Sequence, residues 1–382
     1  MLIVADENIP LLDRFFEDIG SIRRVSGRDM GPKDVADADI LLVRSVTRVD
    51  RKLLEGSRVK FVGTATIGTD HVDVDWLAEQ GITFASAPGC NAASVAEYVL
   101  SVLSVYAEEI GEDDWSNLSV GLIGAGNVGR ALARRLTRLG FTVKISDPPR
   151  QAAEGDEGFS DLAEVLACDV VTLHTPLTHD GDHPTHHLLN AERLRALTGR
   201  QLLINTSRGG VVDAQALLSR LQAEDAPQVV LDVWEGEPDV NPDLARAVWL
   251  MTPHIAGYSL EGKVGGTEII YRSLCHFLGL PARKQAGQFM ADPALSKLSF
   301  TSSATALEAA YLAVRACYDV RRDAARYRRV LRLPEAERAA AFDAMRRDYP
   351  VRREFSSTKI QLKGGAKELQ QVFKALEFKL KV

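Results

Sequence analysis

The sequence predicts an α/β fold: two domains built on doubly wound parallel sheets, followed by a smaller C-terminal α+β domain. The first observation is that short apolar runs alternate with segments of helical spacing, which is typical of parallel sheets covered by helices. The second is that this alternation stops near residue 285, beyond which long helical periodicity, rich in Ala and Arg, predominates. The length of 382 residues suits two or three domains.

The first series of predicted strands ends in residues suited to bind a ligand. Apolar runs predict strands over 2–5, 40–43 and 59–64. Ligands of doubly wound sheets bind at the carboxyl ends of the strands. Arg44, Ser45 and Thr66 follow two of these strand ends, so they are candidate substrate contacts.

A long, mostly apolar helix is predicted over 92–110 and is suited to connect two domains. The second series of strands is predicted at 118–123, 143–146, 170–174, 202–205, 229–232 and 248–252. In the tail, the predicted elements are helical structure over 304–331, a helix from Pro334, a strand over 353–363 and a final helix over 365–378. The tail is therefore expected to be rich in helix, with one evident strand.

Composition argues against several classes of partner. Lys and Arg total 46 and Asp and Glu 52, giving a net charge of −6, so nucleic acid is not expected as a partner. No uncharged apolar run approaches the roughly 18 residues of a membrane span, and the N-terminus lacks the features of a signal peptide. The four cysteines are widely spaced, which suits a reducing compartment and predicts a cytoplasmic protein.

A glycine-rich loop marks a nucleotide site in the second series. The strand 118–123 runs into Gly124-Ala125-Gly126-Asn127-Val128-Gly129, and a helix follows. In this context Gly124 permits a tight turn, Gly126 lets a pyrophosphate approach the backbone, and Gly129 allows the helix to pack closely. The alternative is an accidental glycine turn, but the order of strand, loop and helix favours a dinucleotide.

An acidic residue after the next strand indicates which dinucleotide is bound. Asp147 follows Gly124 by 23 residues, at the end of the strand 143–146. A carboxylate there accepts hydrogen bonds from the ribose hydroxyls and repels a 2′-phosphate, which favours NAD over NADP. Arg150 lies nearby and can partly weaken this preference.

Three polar segments follow strands of the same series and carry Arg208, Glu237 and His254. These residue types suit the oxidation of an alcohol by hydride transfer. The imidazole can remove the hydroxyl proton, a carboxylate can orient the imidazole, and a guanidinium can hold a substrate carboxylate. Each residue alone is as compatible with a structural role, but together, behind a nucleotide loop, they favour an active site.

Four histidines and two aspartates between residues 179 and 187 raise the question of a metal site. Imidazole and carboxylate are good metal ligands. However, Gly181 and Pro184 interrupt the stretch, which predicts a solvated loop. We therefore expect no metal.

The motifs G-A-G-N-V-G, N-T-S-R-G-G, E-G-E-P and T-P-H-I-A-G resemble, in this order, those of the D-2-hydroxyacid dehydrogenase family. The resemblance covers about residues 1–285. It implies a flavodoxin-like substrate-binding domain over 1–95 and 256–285 and a Rossmann NAD-binding domain over 96–255. It also implies catalytic roles for Arg208, Glu237 and His254, and leaves 286–382 as a separate domain.

One branch of this family is more closely similar, on the segments M-L-I-V-A-D-E-N-I-P, V-R-S-V-T, A-T-I-G-T-D-H, A-P-G-C-N-A and H-I-A-G-Y-S. The branch implies a small phosphorylated hydroxy acid as substrate and a homodimer formed through the tail, which carries the apolar residues Leu307, Tyr311, Leu312 and Val314. The substrate contacts it implies are Ser45, Thr66 and Tyr258. The NAD contacts it implies are Thr175, Thr206, Ser207, Arg208, Asp232 and Gly257, beside the glycine loop and Asp147.

A doubly charged substrate needs a second cation. If Arg208 holds the carboxylate, the phosphate requires another guanidinium, for which we expect Arg44, with Arg346 or Arg347 of the partner subunit as weaker candidates. A structural salt bridge is the alternative for Arg44. Two alternatives remain for the whole chain: another enzyme of the family, such as a 3-phosphoglycerate dehydrogenase, and a non-catalytic NAD-sensing corepressor.

Overall fold

The computed structural model describes residues 1–364 and 367–381. Its strands are β1 (Leu2–Asp6), β2 (Ser21–Val25), β3 (Ile40–Val43), β4 (Phe61–Thr64), β5 (Thr83–Ala85), β6 (Ser119–Ile123), β7 (Thr142–Ser146), β8 (Val170–Leu173), β9 (Leu202–Asn205), β10 (Gln228–Leu231), β11 (Leu250–Met251), β12 (Lys297–Thr301), β13 (Lys359–Lys363) and β14 (Lys379–Lys381).

The helices are α1 (Leu12–Phe16), α2 (Pro32–Val35), α3 (Arg51–Leu54), α4 (Val74–Glu79), α5 (Ala92–Ile110), α6 (Asn127–Arg138), α7 (Pro148–Glu154), α8 (Leu162–Leu166), α9 (Ala191–Ala196), α10 (Ala214–Leu221), α11 (Pro242–Ala247), α12 (Leu260–Phe277), α13 (Ala306–Cys317), α14 (Val320–Val330), α15 (Glu335–Arg347) and α16 (Lys367–Ala375). Within the described residues, none of these helices combines the length and apolar character that crossing a bilayer requires.

The chain forms two compact units. The first comprises Met1–Ala92 and Ser259–Asp292, and the second Ala93–Tyr258 and Pro293–Val382. In the first unit the sheet order is β2-β1-β3-β4-β5, with every pair parallel. Strand β3 is buried at all four residues, as expected for a parallel sheet covered on both faces.

The sheet of the second unit has the order β11-β10-β9-β8-β6-β7 and is also parallel throughout. The chain passes from β6 to β7 on one side and then returns to β8 on the other side of β6. The loop after β6 therefore lies at the point where strand order reverses, which is where doubly wound sheets bind ligands. The predicted α/β fold with parallel sheets is confirmed.

The tail packs on this second sheet and shares its core. Phe300, Phe355 and Phe373 belong to the same buried cluster as Val99 of α5 and Leu132 of α6. The tail has its own three-stranded parallel sheet, in the order β12-β13-β14. The expectation of one evident strand in the tail is wrong, because β12 and β14 are short edge strands with mostly polar residues and little apolar signal.

Other differences from the predicted elements have similar causes. Strand β2 (sequence SIRRV) is an edge strand with largely exposed side chains, so periodicity did not indicate it. The helical stretch 304–331 is divided into α13 and α14, because Asp319 caps α14 by accepting a hydrogen bond from the backbone of Arg321. The predicted final helix is α16, and its first two predicted residues, 365 and 366, lie outside the described residues.

Candidate active site

The loop after β6 has the geometry of a phosphate-binding turn. Gly124 has a φ of +101°, and a Cβ there would lie 2.6 Å from the carbonyl oxygen of His174. A Cβ on Gly129 would lie 2.0 Å from the oxygen of Gly124, so the loop and α6 approach as closely as only glycine permits. Gly126, by contrast, borders open space at the start of α6, where backbone N–H groups favour an anion. Asn127 and Val128 form the first turn of that helix.

Asp147 is held at the glycine loop by two hydrogen bonds. Its Oδ2 accepts one from the backbone of Ala125 at 2.7 Å, and its Oδ1 accepts one from the backbone of Arg150 at 3.1 Å, which caps α7. The carboxylate therefore lies next to the loop, as recognition of a ribose requires. The guanidinium of Arg150 is paired with Glu154 at 2.8 Å.

Thr175 and Thr206 follow β8 and β9. The Thr175 hydroxyl is buried and has no hydrogen-bond partner among residues 1–364 and 367–381. A buried hydroxyl without a partner is costly, so a ligand that bonds to it would recover that free energy. The Oγ1 atom of Thr206 lies 3.3 Å from His174 Nδ1. Burial lowers the pKa of His174 to about 3. The open glycine loop and the unpartnered Thr175 hydroxyl both fit a dinucleotide.

Asp232 organises the segment that carries His254. Its side chain is buried and accepts hydrogen bonds from Thr252 Oγ1 at 2.6 Å and from the backbones of Ile255 and Ala256 at 2.8 and 3.0 Å. The backbone of His254 donates to the carbonyl oxygen of Asp232 at 2.6 Å. Burial raises the pKa of Asp232, although His254 and these hydrogen bonds act in the opposite direction.

His254 and Glu237 form a close pair. His254 Nδ1 lies 2.5 Å from Glu237 Oε1, and Glu237 Oε2 accepts a hydrogen bond from the backbone of Trp234 at 3.2 Å. His254 has a φ of +56°, an unusual backbone conformation of the kind found at functional sites. Burial acts to raise the pKa of Glu237, but the charge of His254, its hydrogen bond and the charge of Arg346 outweigh burial, so this pKa is lowered.

Arg208 lies in a segment folded by its own hydrogen bonds. Asn205 Nδ2 donates to the carbonyl oxygen of Arg208 at 3.0 Å, and Asn205 Oδ1 accepts from the Ser207 backbone and hydroxyl. Arg208 Nη1 in turn donates to the Ser207 carbonyl at 2.9 Å. A Cβ on Gly209 would lie 2.0 Å from the carbonyl carbon of Trp234, so this segment docks on the one that carries Glu237.

The remaining substrate candidates of the first unit are at the predicted strand ends. Ser45 is exposed, and Thr66 Oγ1 lies 2.8 Å from Thr64 Oγ1. Arg44 Nε donates to Asp6 Oδ2 at 3.2 Å, and Asp6 is fully buried. This is the salt bridge that was the alternative for Arg44. Burial and the charge of Arg44 lower the pKa of Lys263 to about 8. Lys263 is therefore a second basic residue beside Arg44.

Sequence reasoning considered Arg346 only as a residue of the partner subunit and missed the contacts that the tail makes with this site within one chain. Arg352 is buried and donates to the carbonyl oxygen of Ala256 at 3.0 Å and to that of Ser94 at 2.6 Å. Arg346 lies with its guanidinium carbon 5.7 Å from the ring centre of Tyr258. Gly257 lies between these two contact points. No local signal in the tail indicates which distant segment it covers.

The histidine-rich stretch forms a stack. The rings of His186 and His187 are parallel within 19°, with centres 3.9 Å apart, and His187 Nε2 lies 2.7 Å from Glu235 Oε1. Ligand-forming atoms of these three residues lie within 4.8 Å of one another. Glu235 Oε2 also accepts from the backbone of Ala214 at the start of α10, which indicates a structural role for this carboxylate. That no metal binds here stays a prediction.

Comparison with known proteins defines the class first. Residues 104–256 match the family described as D-isomer specific 2-hydroxyacid dehydrogenase, NAD binding domain, and residues 289–376 match a domain of unknown function, DUF3410. The D-lactate dehydrogenase of Aquifex aeolicus, solved with NAD and lactic acid, shares the fold. It has a TM-score of 0.59 and 24% identity over 73% of this chain and 96% of that chain. The fold and the matched domain are those of NAD-dependent 2-hydroxyacid dehydrogenases.

Relatives along the whole chain define the family. A protein of Marinobacter nauticus named erythronate-4-phosphate dehydrogenase is 68% identical, with 100% of both chains covered. A protein of Hahella chejuensis with the same name is 50% identical over 100% of this chain and 99% of its own. The chain belongs to the erythronate-4-phosphate dehydrogenase family.

Proposed function

We propose that the protein oxidises 4-phospho-D-erythronate at C2, with NAD as acceptor, to (R)-3-hydroxy-2-oxo-4-phosphooxybutanoate. The observation that carries this proposal is the 68% identity over the whole chain, tail included, to a relative named for that substrate. The resemblance to this branch of the family implies a place in the biosynthesis of pyridoxine and pyridoxal 5′-phosphate. The fold, the dinucleotide loop and the His254–Glu237 pair are the machinery that such a reaction needs.

His254 is the proposed base. Because a carboxylate oxygen only accepts a hydrogen bond, the 2.5 Å contact with Glu237 assigns the ring proton to Nδ1. In the neutral ring with its proton on Nδ1, Nε2 is the acceptor that takes the proton of the substrate O2. Glu237 orients the ring and stabilises the imidazolium that results. Bound NAD supplies the acceptor for the hydride that leaves C2.

The cofactor is held, in this proposal, by the glycine loop (Gly124, Gly126, Asn127, Val128 and Gly129), by Asp147 at the ribose, and by Thr175, Thr206, Ser207, Arg208, Asp232 and Gly257. The unpartnered Thr175 hydroxyl and the open space at Gly126 support it. The Asp232 carboxylate accepts hydrogen bonds from Thr252, Ile255 and Ala256 and so lies beside the His254 segment.

Arg208 is the proposed partner of the substrate carboxylate and polarises the developing carbonyl. Ser45, Thr66 and Tyr258 are the proposed further substrate contacts. Arg44 is proposed for the phosphate: its ion pair with Asp6 uses one of the five N–H groups of the guanidinium. In this proposal the domain formed by residues 1–95 and 256–285 binds the substrate, and the domain of residues 96–255 binds NAD. Residues 286–382 form the dimer contact.

A substrate panel followed by NADH absorbance tests the proposal. We expect 4-phosphoerythronate to be oxidised with the highest kcat/KM, well above 3-phosphoglycerate and unphosphorylated erythronate. A preference for 3-phosphoglycerate would assign the chain to another reaction of the family. NAD binding without turnover of any of the three compounds would favour a sensor.

We also propose a homodimer and a cytoplasmic location. Leu312 on α13 is 55% exposed, and an intersubunit contact through the tail would cover it. Cys168, Cys275 and Cys317 form no disulfide within residues 1–364 and 367–381, which supports a reducing compartment.

A further inference from the structure

The last turn of α15 lies against the segment that follows His254 in the same chain. The guanidinium carbon of Arg346 is 5.7 Å from the ring centre of Tyr258, and Arg346 also hydrogen-bonds to the Tyr258 side chain. The Tyr349 ring meets the Tyr258 ring edge-on at 5.8 Å, and Arg352 bonds to the Ala256 carbonyl. The tail thus places a cation beside a proposed substrate contact without a second subunit.

Arg346 differs from its neighbours in how its guanidinium is used. Arg352 donates to two backbone carbonyls, and Arg347 is exposed and paired with Asp348 at 2.9 and 3.0 Å. Arg346 is half-buried, and its Nε has no hydrogen-bond partner among the described residues. Besides its bond to the Tyr258 side chain, Arg346 therefore keeps one buried donor, Nε, that a ligand would satisfy.

The charged neighbours of Arg346 are the carboxylates of Glu237 and Asp343, so a phosphate must supply its own hydrogen bonds to the guanidinium. Glu237, whose charge acts on Arg346, already accepts hydrogen bonds from His254 and from the Trp234 backbone. A guanidinium offers five donors in a fork that matches phosphate oxygens, and a phosphate monoester carries nearly two negative charges at neutral pH. A phosphate beside Tyr258 would find both a cation and a hydroxyl there.

We propose that Arg346 is a specificity-determining residue that, with Tyr258, binds the phosphate of the substrate from within the same chain. This inference rests on the proposed function and assigns to the tail a direct part in substrate recognition. It replaces the expectation that Arg346 acts on the partner subunit, and it separates Arg346 from Arg347, which points to solvent.

The test compares Arg346→Ala, Arg346→Lys and the matched control Arg347→Ala on erythronate with and without the 4-phosphate. Arg346→Ala should lower kcat/KM for the phosphorylated substrate by about 10- to 150-fold, chiefly through KM, because a charge-assisted hydrogen bond is lost. The loss on unphosphorylated erythronate should be small. Arg346→Lys should retain part of the preference, and Arg347→Ala should leave both substrates unchanged.

Equal losses on the two substrates would overturn the proposal and leave Arg346 as a support for Tyr258. Thermal unfolding and NAD binding show whether Arg346→Ala folds. If it does not, Arg346→Lys and Arg346→Gln are compared by the ratio of kcat/KM on phosphorylated to kcat/KM on unphosphorylated erythronate.

Calorimetric titration of inorganic phosphate into the NAD-bound protein separates this inference from the proposed function. Phosphate should bind wild type and Arg347→Ala, and bind Arg346→Ala at least about 10-fold more weakly. Unchanged phosphate affinity in Arg346→Ala would overturn the inference even if 4-phosphoerythronate is the substrate. Failure of wild type to oxidise 4-phosphoerythronate would instead overturn the proposed function, whatever the phosphate titration shows.

Discussion

Glu237 Oε1 lies 2.5 Å from His254 Nδ1, and this contact connects the segment after β10 to the segment after β11. We expect Glu237→Gln to move the acidic limb of the kcat/KM profile to lower pH. A carboxylate favours the protonated imidazolium; without it the ring loses its proton at lower pH, so the neutral base persists further into acid. A limb that stays in place or moves upward would contradict the pairing.

Replacing His254 should affect the chemical step and leave cofactor binding intact. We expect His254→Asn to lower kcat by roughly 10²- to 10⁴-fold, the usual contribution of a general base. NAD affinity, measured by calorimetry, should change little, because the proposed NAD contacts do not involve the imidazole. Because the left-handed backbone at this position tolerates Asn better than most residues, Asn is the preferred replacement. Near wild-type turnover in a folded variant would remove His254 from its role.

The sequence indicated where the candidate site lies because its residues follow buried strands, and their roles stay predictions. Strand β9 is an apolar run that ends in Asn205, and the Arg208 segment begins there, so residue type and position indicated the same edge of one sheet. The same reasoning could not show that the Asp232 carboxylate binds the His254 segment, because that depends on loop geometry. It also could not place Arg346 at Tyr258, since this contact joins segments that are distant in sequence and packed only by the tertiary fold.

Asp147 should determine the preference for NAD over NADP. We expect Asp147→Ala to raise kcat/KM with NADP relative to NAD, since the variant no longer repels a 2′-phosphate. The side chain also caps α7 and bonds to Ala125, so the variant should lose about 1 kcal/mol of stability as well. Asp213→Ala removes a comparable helix cap at α10 and is the control. If the two variants show the same coenzyme preference, another residue recognises the ribose.

The proposed dimer should depend on the exposed face of α13. Of the four apolar residues predicted to matter in this region, Val314 is buried in the chain itself, and Leu307 and Tyr311 pack against the core. Leu312 is 55% exposed, so Leu312→Glu should convert the dimer to a monomer in light scattering. Leu280→Glu, at a residue 46% exposed in the first unit, should leave the dimer intact. Truncation near 285 is less informative, because it would open the core that the tail shares with α5 and α6.

Arg44 should contribute both to stability and to recognition of the phosphate. Its Nε is paired with the buried carboxylate of Asp6, and removing one partner of such a pair leaves a buried charge, so Arg44→Ala should lower the melting temperature. Arg44 also lies close enough to Lys263 for its charge to lower the pKa of that ammonium, and an anion would relieve the repulsion between the two cations. We therefore expect Arg44→Ala to lower kcat/KM on 4-phosphoerythronate by an amount that corresponds to roughly 1.5–3 kcal/mol of transition-state stabilisation. The kcat/KM on erythronate should change little, when both are measured below the unfolding temperature of the variant. Equal losses on both substrates would show that the ion pair with Asp6 is the whole role of Arg44.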